Sequence, residues 1–496
     1  MEGKILFMNK VVIIGGGLGG LACAITLAYH GYDVQLFEKN EHFGGKLMPV
    51  QLGDYSFDFG PNTITMPYIF ERVIEQTGEK AEDYFEMVKL NTHTRNFFSD
   101  GTVFDFSSHQ PTMKRQLEKI DPFGARNYQD FLKEITRLYE LSRSHFLFRT
   151  FRSFRDYLSP SLTKAMLKVR PLQTLDQFFK TYFQNEQVIQ SLNRYATYIG
   201  SSPYRTPATF AMIAYLELVE GVYYVKGGNV KIAEAFVTLA KKLGVKLYNN
   251  TTCAKIIVQN KKATAIRLEN GEKVEADYVI MNADLLDAYP KLVEEEQRPS
   301  FSNKKVQAFE PSISAFVMLV GVNKRFPMLK HHNVFFSTNY QREFDELFND
   351  QMYSVEPTIY ICNSSYTDPS RSKEGDNLFI LVNAPAIKRN GELQINPHIY
   401  KEKIYRRLAE FGINVRPFIK EEKLFTAKDI SSTFGAFRGA LYGLSSNRKK
   451  DAFLRPRNVS QDIDNLYFVG GSTHPGGGSP MVAISGQNVA QMIIQE

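Results

Sequence analysis

"VVIIGGGLGG", residues 11 to 20, runs a short β-branched apolar stretch straight into glycines at 15, 17 and 20. A run of that composition suits a strand covered on both faces of a parallel sheet. The GxGxxG spacing after it suits a turn that brings free backbone amides at a helix N-terminus to a pyrophosphate. Downstream, LACAITLAYHGY (21–32) carries apolar residues at helical intervals, with Gly31 placed to end the helix. DVQLFEKN (33–40) then predicts a second strand finishing at Glu38. In such a unit Gly15 permits the tight turn, Gly17 admits the pyrophosphate, Gly20 lets helix and strand pack closely, and Glu38 accepts hydrogen bonds from a ribose. An acid at that position disfavours a 2′-phosphate, which leaves FAD and NAD.

The far end of the chain repeats the pattern. NLYFVGGSTHPGGGSPMVAISGQNVAQMII (465–494) predicts a strand, a glycine-rich turn and a closing helix. Three successive glycines, 476 to 478, cost backbone entropy and pack nothing, so a ligand approaching the main chain is their natural explanation.

Composition bounds the remainder. The chain has 496 residues, 43% of them hydrophobic, enough for two or three domains with their own cores. Cys23, Cys253 and Cys362 stand far apart without CxxC spacing, so neither a disulfide framework nor a thiolate metal site is expected, and a reducing cytoplasmic setting fits. The opening MEGKILFMNK lacks the long apolar core of a signal peptide, and no stretch approaches the roughly 18 to 20 apolar residues of a membrane-spanning helix. A net charge of +7 favours an anionic surface but is dispersed, which leaves nucleic-acid binding without a footprint. The exception is SRSHFLFRTFRSFRDYLSPSLTKAMLKVR (142–170). Written on a helix, Leu147, Phe151, Phe154 and Leu158 share a face while Arg149, Arg152 and Arg155 lie elsewhere, the pattern of a membrane-surface element or of a basic face over a core. Neither GxSxG nor GxxxxGK[ST] occurs, so hydrolase and NTPase chemistry have no support. His331 and His332 are adjacent with no third ligand spaced to join them, so no metal is expected.

Between the two ends, EKNEHFGGKL (38–47) places Gly44, Gly45 and Lys46 directly after the acid, and FDFGP follows at 57–61. With these motifs the chain resembles the FAD-dependent amine oxidase and phytoene desaturase superfamily, with lysine where arginine is commoner in the GG[RK] step. The PGGG turn, together with TMPYIF (65–70), YVKGGN (224–229), SAFVMLVGV (314–322) and HHNVFFS (331–337), resembles its bacterial carotenoid desaturase and oxidase branch, over nearly the whole chain.

That resemblance implies an α/β fold: a discontinuous Rossmann-like FAD-binding domain of 9–75, 221–290 and 425–496, with a substrate domain of 76–220 and 291–424 inserted in it. It implies that FAD is held by Gly15, Gly17, Gly20, Glu38, Gly45, Lys46 and Gly60, by backbone near Cys253 against the adenine, and by Gly470, Gly477, Gly478, Met481 and Val482 against the flavin. The closing helix would direct its N-terminus at the flavin's pyrimidine edge. His474, in the same loop, is the one titratable candidate for touching substrate, a structural turn histidine being the alternative. The implied substrate is a linear C30 diapocarotene drawn from a membrane surface, and the implied reaction is oxidation of its terminal methyl group. Desaturation of a carotene precursor is the alternative reaction. A flavin-free prenyl-binding escort and a soluble amine oxidase are the further alternatives. With 38 Phe and 26 Tyr and no Trp, the chain suits a long apolar tunnel as well as an ordinary core.

Overall fold

The computed structural model describes residues 9–152, 155–156, 159–392 and 395–496. The opening eight residues, and Phe154 and Leu158 of the expected amphipathic face, lie outside them. Strand β1 (Lys10–Ile14) is buried after its first residue, as its apolar run requires, and lies parallel to β2 (Asp33–Phe37) with Val11 opposite Val34. The parallel sheet they begin has the order Leu466–Phe468, Tyr278–Met281, β1, β2, Lys246–Tyr248. Its strands thus come from both ends and the middle of the sequence.

Helix α1 (Leu18–Tyr29), the helix Lys231–Lys242 and the closing helix Ser479–Ile494 cover one face of this sheet and share one core with it. The other face packs against the antiparallel strands Cys253–Gln259, Lys262–Leu268 and Lys273–Glu275 and the helix Leu285–Leu292. The hairpin turns between these strands fall at Asn260–Lys261, both at positive φ, and between Leu268 and Lys273.

In a second, seven-stranded sheet Ser314–Val322 lies next to the edge strand Ile419–Phe425 and is buried at every residue because both faces are covered. The helix Pro397–Glu410 packs on one side and the hairpin Met48–Leu52/Tyr55–Phe59 on the other. Helices between Gln110 and Tyr215 form a further core around Phe131, ringed by Phe178, Phe179, Tyr182 and Phe183 at centroid distances of 5.0–6.3 Å. Much of the aromatic content therefore fills ordinary core.

The segment from 142 corrects the single-helix expectation. The helix Pro122–Ser142 runs into one π-helical turn, Arg143–Leu147, residues 149–152 are not helical, and Pro160–Lys168 forms a separate α-helix. Leu147 and Phe151 are buried. The reason is the closing helix: Asn488 donates to the Leu147 carbonyl at 3.3 Å, and Arg152 donates to the Met492 carbonyl at 3.1 Å and pairs with Glu496 at 3.7 Å.

Candidate active site

The glycine turn after β1 is shaped by close backbone approach. Gly15 has φ +102°, and a Cβ there would lie 2.1 Å from the Asn282 carbonyl oxygen, so no side chain fits. At Gly20 a Cβ would sit 2.4 Å from the Gly15 carbonyl oxygen, the close helix-to-strand contact expected of it. Gly17 is different. Its φ of −70° is open to any residue, and a Cβ would meet the Asn282 side-chain amide at 3.2 Å and Gly45 Cα at 3.8 Å, so the fold itself restricts this position far less than Gly15 or Gly20. It is the position at which an external group approaching the backbone explains the residue.

Gly17 caps α1 without a side-chain hydrogen bond, and no acid sits in the first turn, so the leading amides of the helix carry their partial positive charge unopposed. Gly45 faces this turn, where a Cβ would be 3.1 Å from the Gly17 Cα, and the Gly44 amide donates to the Gly16 carbonyl at 2.8 Å. Glu38, buried one residue past β2, accepts from the Gly16 amide at 2.7 Å and from the Asn40 amide at 2.9 Å. Its remaining lone pairs are open to hydroxyl donors.

The closing helix presents the same feature. Gly478, at φ +119°, caps it without a side-chain bond, its first turn has no acid, and Met481 and Val482 keep partial exposure there. Two further glycines bring this N-terminus to α1: a Cβ at Gly486 would be 2.1 Å from the Gly19 carbonyl oxygen, and one at Gly19 would be 2.8 Å from that of Val482. Two uncapped, acid-free helix N-termini thus meet in one region. This is a donor set for an anionic, extended ligand, and FAD fits it.

The other expected residues have mixed placements. The Lys46 ammonium is engaged by the carbonyls of Leu441 at 2.5 Å and Ala440 at 3.3 Å, and burial holds its pKa below the usual lysine value against the attraction of Asp284. Gly60 is required by the main chain itself, since a Cβ would lie 2.1 Å from the Lys46 carbonyl oxygen. Cys253 opens its strand beside Glu38, whose carbonyl takes the Thr251 amide at 2.8 Å, and burial pushes the thiol up to about 12. Gly470, at φ +119°, follows the Leu466–Phe468 strand. Gly477 lies under Tyr442, where a Cβ would be 3.0 Å from the tyrosine Cβ.

His474 is buried, with Nε2 at 2.8 Å from the Phe146 carbonyl and its ring edge-on to Phe151 at 4.8 Å. Burial lowers its pKa to about 4, so it is neutral at physiological pH and ties the glycine turn to the 143–152 segment.

Sequence reasoning missed Asn282, which donates to the Gly15 carbonyl at 2.9 Å and braces the first turn; its signal was the strand end VIMNAD. It also missed Arg455, whose guanidinium lies 3.2 Å from where a Gly476 Cβ would be. Cys362 pairs in register with His332, so potential ligand atoms of His331, His332 and Cys362 lie within 4.8 Å of one another. Only strand pairing could supply that third residue.

The sequence profile of the family described as "Flavin containing amine oxidoreductase" matches residues 18–494. The 4,4'-diapolycopene oxygenase of Methylomonas sp is 34% identical over 98% of both chains. The 4,4'-diaponeurosporene oxygenase of Staphylococcus haemolyticus is 33% identical over 98% of this chain and 97% of its own. Among solved structures, a putrescine oxidase variant superposes with a TM-score of 0.65 at 14% identity, over 98% of this chain and 99% of that one, a likeness of fold. The chain therefore belongs to the flavin containing amine oxidoreductases, and within them to the FAD-dependent carotenoid oxidoreductases.

Proposed function

We propose that this enzyme oxidises the terminal methyl group of a linear C30 diapocarotene. The observation that carries the reading is the near-complete alignment, at 33–34% identity, with oxygenases named for two such polyenes. On this reading segments 9–75, 221–290 and 425–496 hold FAD and the intervening blocks hold the polyene. Gly17 and Gly45 admit the pyrophosphate, Glu38 takes ribose hydroxyls, and the amides at Met481 and Val482 face the flavin ring. Bound FAD supplies the two-electron oxidation of a carbon–hydrogen bond. The chain's own part is to orient the polyene end, exclude water, and place positive helix ends where negative charge accumulates. His474, neutral and bonded to Phe146, serves to position the glycine turn.

The polyene would enter from a membrane surface. Leu167 and Leu172 are 77% and 80% exposed, and Lys164, Lys168 and Arg170 lie between and beside them, the makings of a shallow membrane-docking patch. Among the described residues no helix is long and apolar enough to cross a bilayer.

The test is anaerobic mixing. Diaponeurosporene in micelles should bleach the oxidised flavin spectrum and putrescine should leave it unchanged. Bleaching by the amine alone would overturn the reading in favour of an amine oxidase.

A further inference from the structure

A polar cluster lies behind the glycine turn in a molecule whose proposed substrate is a hydrocarbon. Arg194 donates to the Tyr198 hydroxyl at 3.2 Å, and that hydroxyl also makes a short bond to Glu217. Arg194 and Glu217 are both buried, Glu217 at 0% exposure. His93, also at 0%, has Nδ1 3.5 Å from the Glu217 carboxylate, and neither of its ring nitrogens has a hydrogen-bond partner among the described residues. Arg194 Nε and His332 Nε2 likewise have no hydrogen-bond partner among the described residues.

Taking an arginine and a glutamate out of water is costly, and a buried polar atom left unpaired adds to that cost. Apolar residues of the same size would line a hydrocarbon tunnel with no such penalty. The unpaired atoms therefore point to an absent polar group.

Tyr442 links the cluster to the glycine turn. Tyr198, Tyr360 and Thr63 keep partial exposure, and Thr63 interacts with both tyrosines. Tyr442 is also partly exposed; its ring packs over Gly477 and it lies within electrostatic reach of Arg194.

We propose that this pocket, walled by Thr63, Tyr198, Tyr360 and Tyr442 and charged from behind by Arg194 and Glu217, binds the oxygen of a polyene whose end already carries a hydroxyl or carbonyl group. It is then a specificity site: it retains the half-oxidised end beside the glycine turn, so that a methyl group can be carried through more than one oxidation. The inference rests on the substrate reading above.

The experiment measures dissociation constants of the FAD-loaded enzyme for diaponeurosporene and for the same polyene ending in an aldehyde, by flavin fluorescence quenching in micelles. The wild type should bind the aldehyde at least about tenfold more tightly, the discrimination expected of a site built to hydrogen-bond one oxygen. Tyr198→Phe, which removes the hydroxyl shared by Arg194 and Glu217, should bring the ratio to within about twofold with flavin content retained. If Tyr198→Phe does not fold, Tyr442→Phe should lower the ratio in the same direction. Equal wild-type affinities, or a ratio unmoved in a folded variant, would overturn the proposal alone. Failure to bind either polyene would overturn the substrate reading beneath it.

Discussion

Gly17 and Gly15 stand two residues apart and are glycine for different reasons, which gives them different mutational signatures. The Gly17 backbone is ordinary and a Cβ there asks only a small shift of the Asn282 amide, so Gly17→Val should fold with a smaller loss of thermal stability than Gly15→Val yet lose most of its flavin absorbance. Gly15→Val, driven into the Asn282 carbonyl, should lose stability as well. Flavin-to-protein absorbance ratios and melting curves separate the two, and a Gly17→Val protein with full flavin content would remove the pyrophosphate from that turn. His474 carries a pH signature of the opposite kind to an ion pair. Its folded pKa of about 4 lies below its ordinary 6.5, so the unfolded chain takes up a proton that the folded protein refuses, and stability falls as pH drops through that window. Relative to His474→Gln, the wild type should lose about 1.4 kcal/mol per pH unit between roughly pH 6 and pH 4, read from denaturant midpoints. At this scale the glycines of the first turn were legible because their spacing directly after an apolar strand is local in the sequence. The partner of His474 was not, because Phe146 lies 328 residues away in sequence.

At the scale of elements, α1 and the closing helix cross through glycine on both sides, and that crossing sets where their N-termini meet. Gly486→Ala puts a methyl group 2.1 Å from a carbonyl oxygen and must part the helices. It should cost about 1–3 kcal/mol, typical of overpacking, and reduce flavin retention although residue 486 is remote from any proposed ligand contact. Unchanged flavin binding with lowered stability would detach the crossing from the site. The strands and helices of this unit could be read in the sequence because their apolar periodicity and glycine punctuation agree. The 142–158 segment could not, since apolar residues at helical spacing say that a face is buried without saying against what. Here the closing helix captures Leu147 and Arg152 by hydrogen bonds and so ends the helical path.

For the whole molecule, membrane docking follows from what the surface exposes. Exposed Leu167 and Leu172, set among basic residues, should bring the enzyme to anionic liposomes. The Leu167→Ser/Leu172→Ser double variant should sediment with liposomes more weakly at unchanged melting temperature, and equal sedimentation would place the docking surface elsewhere. The layered fold and its family could be anticipated because motifs at both ends and in the middle belong to one sheet. The buried cluster around Arg194 could not, because it joins residues from 63 to 442 that only the folded chain brings together. The most direct measurement is the mass of the product formed when purified enzyme, FAD and diaponeurosporene in liposomes react in air. Gain of oxygen at the chain end is the expected result, and loss of hydrogen pairs without oxygen would contradict terminal oxidation and establish a desaturase.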